Sequence, residues 1–92
     1  MILTNSDKEI LLSKGYNNND LIAIEDAKFR YKIFDTHNES NPEIKISQTE
    51  VIKLIGRERF LSAIGRSTFH STAVVAHESV VGLGIYFERT DF

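Results

Sequence analysis

Apolar and polar positions follow two different periods along this chain, and each change of period marks a new element. Near the N-terminus, apolar residues recur at the spacing of a helix, and they do so again after a glycine. Ser6 and Glu9 have the spacing of a capping box, so we expect a first helix to begin there and to end at Gly15. Asn17, with Asp20 three residues later, predicts the start of a second helix.

The period then shortens to that of a strand. In residues 29–35, Phe29 and Tyr31 alternate with polar residues, which predicts a half-buried strand. Residues 37–42 are rich in turn formers. Residues 43–46 follow them and read as a short returning strand, so the two segments predict a hairpin.

A second pair of helices is predicted in the middle of the chain. Ser47 and Glu50 form another capping box, and the helix that they open is expected to end at Gly56 in a left-handed conformation. Helical spacing resumes over residues 57–66. Gly65 is interpreted either as a second cap or as a point of close packing.

The C-terminal part of the chain returns to strand-forming residues. Residues 72–76 are β-branched and apolar, and Glu78 with Ser79 suggests a turn. A longer strand is predicted over residues 80–88, with a bulge at its glycines.

These elements predict an α+β fold in the order ααββααββ. We expect about four short helices on one face of a small antiparallel sheet of three to four strands. The length of 92 residues fits a single domain spanning residues 1–92.

Composition narrows the chemistry and the compartment. The chain has no cysteine, which excludes disulfides, thiol catalysis and thiolate zinc sites. No apolar run approaches the length of a membrane span, and the N-terminus does not have the pattern of a signal peptide. We therefore expect a soluble protein of the cytosol, with no cofactor.

Charge is divided unevenly along the chain. Residues 44–70 carry a net charge of +3, on a chain whose net charge is −2. A helix-turn-helix reading of this segment fails because Ser62 stands where the second helix needs a buried aliphatic residue. The excess of basic residues is either a solvated helix face or a nucleic-acid surface. Its candidate contacts are Lys53, Arg57, Arg59 and Arg66.

Candidate catalytic residues are few. His70 lies between hydroxyl-bearing residues, but the sequence offers neither a nucleophile elbow nor a group to orient the imidazole. His37, His70 and His77 lack the spacing of a helical metal pair. We expect no catalytic and no metal-binding residue. Strand alternation instead places Phe34 and Tyr86 on the outer face of the sheet, where they are available to a partner.

A resemblance supports a binding role. The run IGRERFLSAIGRSTFH over residues 55–70, the helix over residues 20–27 and the strand residues Ile85, Tyr86 and Phe87 resemble small uncharacterised proteins of Gram-positive phages and conjugative elements. Small acidic proteins of such elements often act on a host machine. The resemblance therefore implies a non-enzymatic inhibitor of a host defence protein, with an anti-CRISPR inhibitor of an RNA-guided nuclease as the best concrete instance.

Three hypotheses follow from these observations. In the first, an acidic face of the inhibitor contacts a basic channel of the nuclease by charge complementarity. That face would contain Asp20, Glu25, Asp26, Asp35, Glu39 and Glu43. In the second, the basic segment over residues 47–70 makes the chain a small nucleic-acid-binding regulator. The third and weakest hypothesis is a small hydrolase built around His70.

Overall fold

Helices and strands follow one another in the predicted order, ααββααββ. The computed structural model describes residues 1–38, 40, 42–77 and 80–91, and within them the chain forms an α+β fold of four helices and one four-stranded antiparallel sheet. The helices are α1 (Asn5–Ser13), α2 (Asn18–Asp26), α3 (Gln48–Ile55) and α4 (Arg57–His70). The strands are β1 (Phe29–Asp35), β2 (Ile44–Ile46), β3 (Thr72–Ala76) and β4 (Leu83–Arg89).

Capping boxes begin three of the helices. The predicted boxes at Asn17 and Ser47 are confirmed, because each side chain accepts a hydrogen bond from the backbone N–H of the acid three residues later. The predicted box at Ser6 and Glu9 is wrong. Helix α1 begins two residues earlier, where Thr4 and Asp7 make the reciprocal bonds. The spacing of a capping box occurs at both Thr4 and Ser6, and the helix begins at the box whose acid, Asp7, is buried.

Gly56 separates α3 from α4 in a conformation that differs from the predicted left-handed cap. Its backbone has φ 83° and ψ 160°, a region that glycine alone occupies readily. The chain therefore leaves α3 and enters α4 without an intervening loop. Helix α4 continues past the predicted end at residue 66 as far as His70. Gly65 lies inside α4 and is a close-packing point, since a Cβ there would lie 2.6 Å from Tyr16 Oη.

The sheet has the strand order β2-β1-β4-β3. The two longest strands pair over their full length, from Phe29 opposite Arg89 to Asp35 opposite Leu83. This unbroken register contradicts the predicted bulge. Gly82 instead belongs to the turn before β4, with φ 89°, and the predicted turn at Glu78 and Ser79 lies outside the described residues.

The core lies between the helices and one face of the sheet. Aromatic rings from three elements meet there: the Tyr31 ring centroid lies 5.2 Å from that of Phe87 and 6.0 Å from that of Phe60. Such pairs add stability beyond the area that they bury. Burial raises the pKa of the Tyr31 phenol to about 12. With β1 and β4 fixed against α4 in this way, their alternate side chains point to the opposite face.

Candidate functional site: the open face of the sheet

One face of the sheet packs against the helices, and within the described residues no helix covers the other. Tyr31, Ile85 and Phe87 point inward and join the core. The residues between them on each strand point outward, because successive side chains of a strand alternate. This outward surface, which we call the open face, carries Arg30, Lys32, Phe34, Lys45, Thr72, Val74, Ala76, Gly84, Tyr86 and Glu88.

An aromatic and aliphatic patch occupies one half of the open face. Val74 lies directly opposite Tyr86 in the β3–β4 register, and it is 51% exposed although it is apolar. Phe34 lies on the far side of β4. These three side chains border a hollow of about 430 Å³, whose rim includes Asp35 and Glu43. The predicted outward placement of Phe34 and Tyr86 is confirmed, and the hollow between them was not predicted.

Phe34 holds its position because its cross-strand neighbour is a glycine. Phe34 lies opposite Gly84, and a Cβ on Gly84 would lie 2.8 Å from Phe34 Cζ. The ring therefore covers the backbone of β4, the arrangement by which an aromatic side chain compensates for a glycine in a sheet. Any larger residue at position 84 would displace the ring and reshape the hollow.

Charged side chains occupy the other half of the open face. Lys32 Nζ lies 2.8 Å from Glu43 Oε2 and 3.8 Å from Glu88 Oε2, and Arg30 Nε lies 3.0 Å from the same Glu88 atom. Lys32 Nζ also lies 5.8 Å from the centroid of the Tyr86 ring. The hydrogen bond to Glu43 raises the pKa of the Lys32 ammonium. Lys32 thus lies between the ion pairs and the Tyr86 ring, and the aromatic and aliphatic patch is the apolar part of the surface.

The acidic residues predicted to form one face are dispersed. Asp20 belongs to the capping box of α2, and Glu25 Oε1 lies 3.7 Å from Lys8 Nζ. Asp26 ends α2, close to the start of β1, whereas Asp35 ends β1. A strand of that length separates its ends by about 20 Å. The structure thus brings together Asp35 and Glu43 beside the hollow, and places Asp20, Glu25 and Asp26 on α2; Glu39 lies outside the described residues.

The basic residues proposed as nucleic-acid contacts also separate. Arg57 donates hydrogen bonds to both carboxylate oxygens of Asp7, so its guanidinium is used inside the fold. Lys53 is exposed in the last turn of α3. Arg59 and Arg66 lie on one side of α4 and line a hollow of about 320 Å³ beside β3. Two of the four predicted basic residues are therefore brought together.

The hydroxyl groups near His70 are hydrogen-bonded within helix α4. His70 is exposed at the end of α4. The Ser67 hydroxyl donates to the carbonyl oxygen of Ala63, and the Thr68 hydroxyl donates to that of Ile64 at 2.6 Å. These hydroxyls satisfy carbonyls of their own helix and are buried. Among the described residues, no group of three or more His, Asp or Glu side chains is arranged to hold a metal ion.

Sequence reasoning missed Val74 and Gly84 as parts of the site. Each follows from strand alternation within β3 and β4, but their place beside Phe34 depends on which strands are neighbours. The sequence alone did not give the strand order. The one polar residue of TAVVA, Thr72, was a usable signal for an outward Val74, because residues 72 and 74 of a strand share a face.

Comparison of the chain with protein-family models, with curated proteins and with solved structures finds no match. No helix in the described part of the chain combines the length and the apolar character that crossing a membrane requires.

Proposed function

We propose that this chain is a non-catalytic binding module that acts on another protein through its open face. The observation that carries the proposal is the hollow of about 430 Å³ bordered by Phe34, Tyr86 and Val74. Rigid aromatic side chains that are already ordered contribute contact area at low entropic cost, which is why they are enriched at the centres of protein interfaces. The neighbouring ion pairs would form the polar rim.

The resemblance to proteins of Gram-positive phages and conjugative elements supplies the partner class. We propose that the partner is a host defence protein and that the chain inhibits it, with an RNA-guided nuclease as the first candidate. Asp35 and Glu43 lie beside the hollow, but Glu43 is already paired with Lys32. Arg30 and Lys45 also lie on the same face. In this proposal the aromatic patch therefore supplies the contact area, and the charged rim sets the orientation of the partner.

Site-specific photocrosslinking tests this proposal. A benzophenone amino acid replaces Tyr86, and a control carries it at Ile22, which is 61% exposed on α2. The two variants are expressed in a Gram-positive cell that contains an active RNA-guided nuclease. We expect a discrete protein adduct at position 86 that contains the nuclease, and loss of DNA cleavage when the purified chain is added to that nuclease.

Adducts of equal strength at positions 86 and 22 would contradict the use of the open face. An adduct at position 86 with a different protein would retain the binding module and refute the nuclease as its partner. A cleavage assay in which Phe34→Ala with Tyr86→Ala inhibits as well as the unchanged chain would also contradict the proposal.

A second candidate function is binding of nucleic acid, as the sequence hypothesis for residues 47–70 states. It is favoured by one observation, the position of Arg59 and Arg66 on the same side of α4. The affinity for a single-stranded oligonucleotide would then fall steeply with salt. Arg66→Ala would reduce the salt slope by about one contact, and Arg57→Ala, whose guanidinium is bonded to Asp7, would leave the slope unchanged in the folded protein.

A further inference from the structure

The two edges of the sheet are protected to different degrees. The β2 edge is three residues long, follows Pro42 and carries Lys45, features that discourage pairing with another strand. The β3 edge is five residues long, with the sequence TAVVA. It contains no charge, proline or glycine, and its Thr72, Val74 and Ala76 are exposed. A strand of this kind is a template for a further strand.

The hydrogen bonds between β3 and β4 show which backbone groups of β3 face the open edge. Arg89 N donates to the carbonyl oxygen of Ser71 at 2.8 Å, and His77 N donates to that of Leu83 at 2.9 Å. Bonded and non-bonded pairs alternate along an antiparallel pair, so the odd-numbered residues of β3 bond to β4. The N–H and C=O groups of Thr72 and Val74 therefore point away from the sheet.

The guanidinium of Arg59 already donates to one backbone carbonyl on this edge. Arg59 Nη2 donates to the carbonyl oxygen of Ala76 at 2.8 Å, which confirms that the even-numbered carbonyls face outward. Helix α4 runs antiparallel to β3, so Arg59 lies near Ala76, and Arg66 lies about 10 Å back along the helix, toward Ala73. The hollow beside the edge is lined by Arg59, Ser62, Arg66, Val74, Val75 and Ala76, and Arg66 is the exposed arginine of this lining.

We propose that the β3 edge binds an extended acidic peptide segment of a partner protein by antiparallel strand addition. The residue of the peptide opposite Val74 exchanges two backbone hydrogen bonds with it, and its side chain points to the open face, where an apolar group packs against Val74. The residues on either side point toward α4, where a carboxylate meets the exposed guanidinium of Arg66. The recognised pattern is an apolar residue with an acidic neighbour.

Charge is the reason for choosing a peptide over a second copy of the chain. Pairing two β3 strands around a twofold axis at Val74 would bring the exposed Arg66 side chains of both copies to the same strip of surface. Like charges placed together at an interface are unfavourable. The inference goes beyond the proposed function because it uses the strand edge, and either can fail without the other.

The experiment measures binding of fluorescent short peptides to the full chain by anisotropy. The probe has Glu-Val-Glu at its centre, and a matched peptide has Lys-Val-Lys. A second pair is N-methylated either at the central valine, whose N–H bonds Val74, or at the following glutamate, whose N–H points away from β3. We expect binding of the Glu-Val-Glu probe, roughly tenfold weaker binding to Arg66→Glu, and loss of binding only with methylation at the central valine.

Several outcomes would overturn the inference. Equal loss from both methylated peptides would show that the bound segment is not an added strand, and equal binding of the lysine peptide would refute the acidic preference. A dimer in sedimentation that dissociates in the Val74→Lys variant would assign the edge to a second copy of the chain. A different result would be an oligonucleotide that binds more tightly than the probe at the same salt concentration and loses its binding in Arg66→Glu. That result would assign the surface to nucleic acid.

Discussion

Asp7 accepts two hydrogen bonds from Arg57, from Nε to Oδ1 and from Nη2 to Oδ2, each at 2.6 Å. The Asp7 side chain is 1% exposed, and it also accepts a hydrogen bond from the backbone N–H of Thr4, within the capping box of α1. One carboxylate thus fixes the start of α1 and ties it to the first residue of α4. This fork-to-fork pairing is the strong form of an ion pair.

Removal of the Arg57 guanidinium should destabilise the fold strongly. Arg57→Ala leaves a buried carboxylate without its cation, and we expect a loss of about 3 kcal/mol in the free energy of unfolding. Arg66→Ala is the matched control, since it removes an exposed arginine from the same helix and should change stability by less than about 0.5 kcal/mol. Urea unfolding of both variants measures the difference. Equal values for the two variants would show that the Asp7 contact contributes nothing specific.

The same contact should make stability depend on acid. The hydrogen bond from Arg57 is the largest cause that lowers the pKa of Asp7 from 3.8 to about 2. Because the folded state binds the proton more weakly than the unfolded state, this contribution is complete above about pH 4 and is lost as the pH falls toward 2. It corresponds to roughly 2 kcal/mol. Unfolding followed from pH 6 to pH 2 should show a steeper fall for the unchanged chain than for Asp7→Asn, and parallel curves would contradict the assignment.

Gly65 and Tyr16 should show strong coupling in a double-mutant cycle. A Cβ at position 65 would lie 2.6 Å from Tyr16 Oη and 2.7 Å from Cζ, and the Tyr16 ring is stacked on Phe69 with centroids 6.2 Å apart. Gly65→Ala should therefore destabilise the chain, although alanine favours a helix by about 1 kcal/mol over glycine. In a Tyr16→Ala background the same substitution should stabilise it. A Gly65→Ala effect of the same sign in both backgrounds would refute the steric account.

Gly56 should tolerate neither alanine nor asparagine. At φ 83° and ψ 160° its backbone lies in a region that is accessible essentially to glycine alone, and a side chain there costs about 1–3 kcal/mol. Within the described structure a Cβ at Gly56 meets nothing within 4 Å, so the cost comes from the backbone. Asparagine tolerates the left-handed helical region better than alanine does, but it has no such advantage in this region. Gly56→Asn should therefore lower the melting temperature at least as much as Gly56→Ala. A clearly milder asparagine variant would indicate an ordinary left-handed cap.

Local elements could be predicted from the sequence because their signals are local. The capping boxes at Asn17 and Ser47 and the strand over residues 29–35 follow from spacing within a few residues. The strand over residues 72–76 follows from its β-branched and apolar composition. Predictions failed where two local readings competed. Thr4 and Ser6 both begin a capping box in the sequence, and the burial of Asp7 against Arg57 decides between them.

The candidate site was predictable only in part. Alternation within single strands placed Phe34 and Tyr86 on the outer face. The hollow between them depends on the strand order, since Phe34 and Val74 become neighbours of β4 on opposite sides only when β1 and β3 flank it. The basic segment was recognised by its charge, but the sequence did not show that Arg57 is used by the fold.

The sequence by itself therefore determined the number, type and order of the elements in the described chain, and which side chains of each strand share a face. Those properties depend on hydrogen bonds and periodicities within a few residues. Tertiary structure alone decided which acid pairs with which arginine, which glycine is covered by an aromatic ring and which strand edge is left open. Each of these depends on groups that are distant in sequence, and their energies are set by burial and contact, which exist only after the chain has folded.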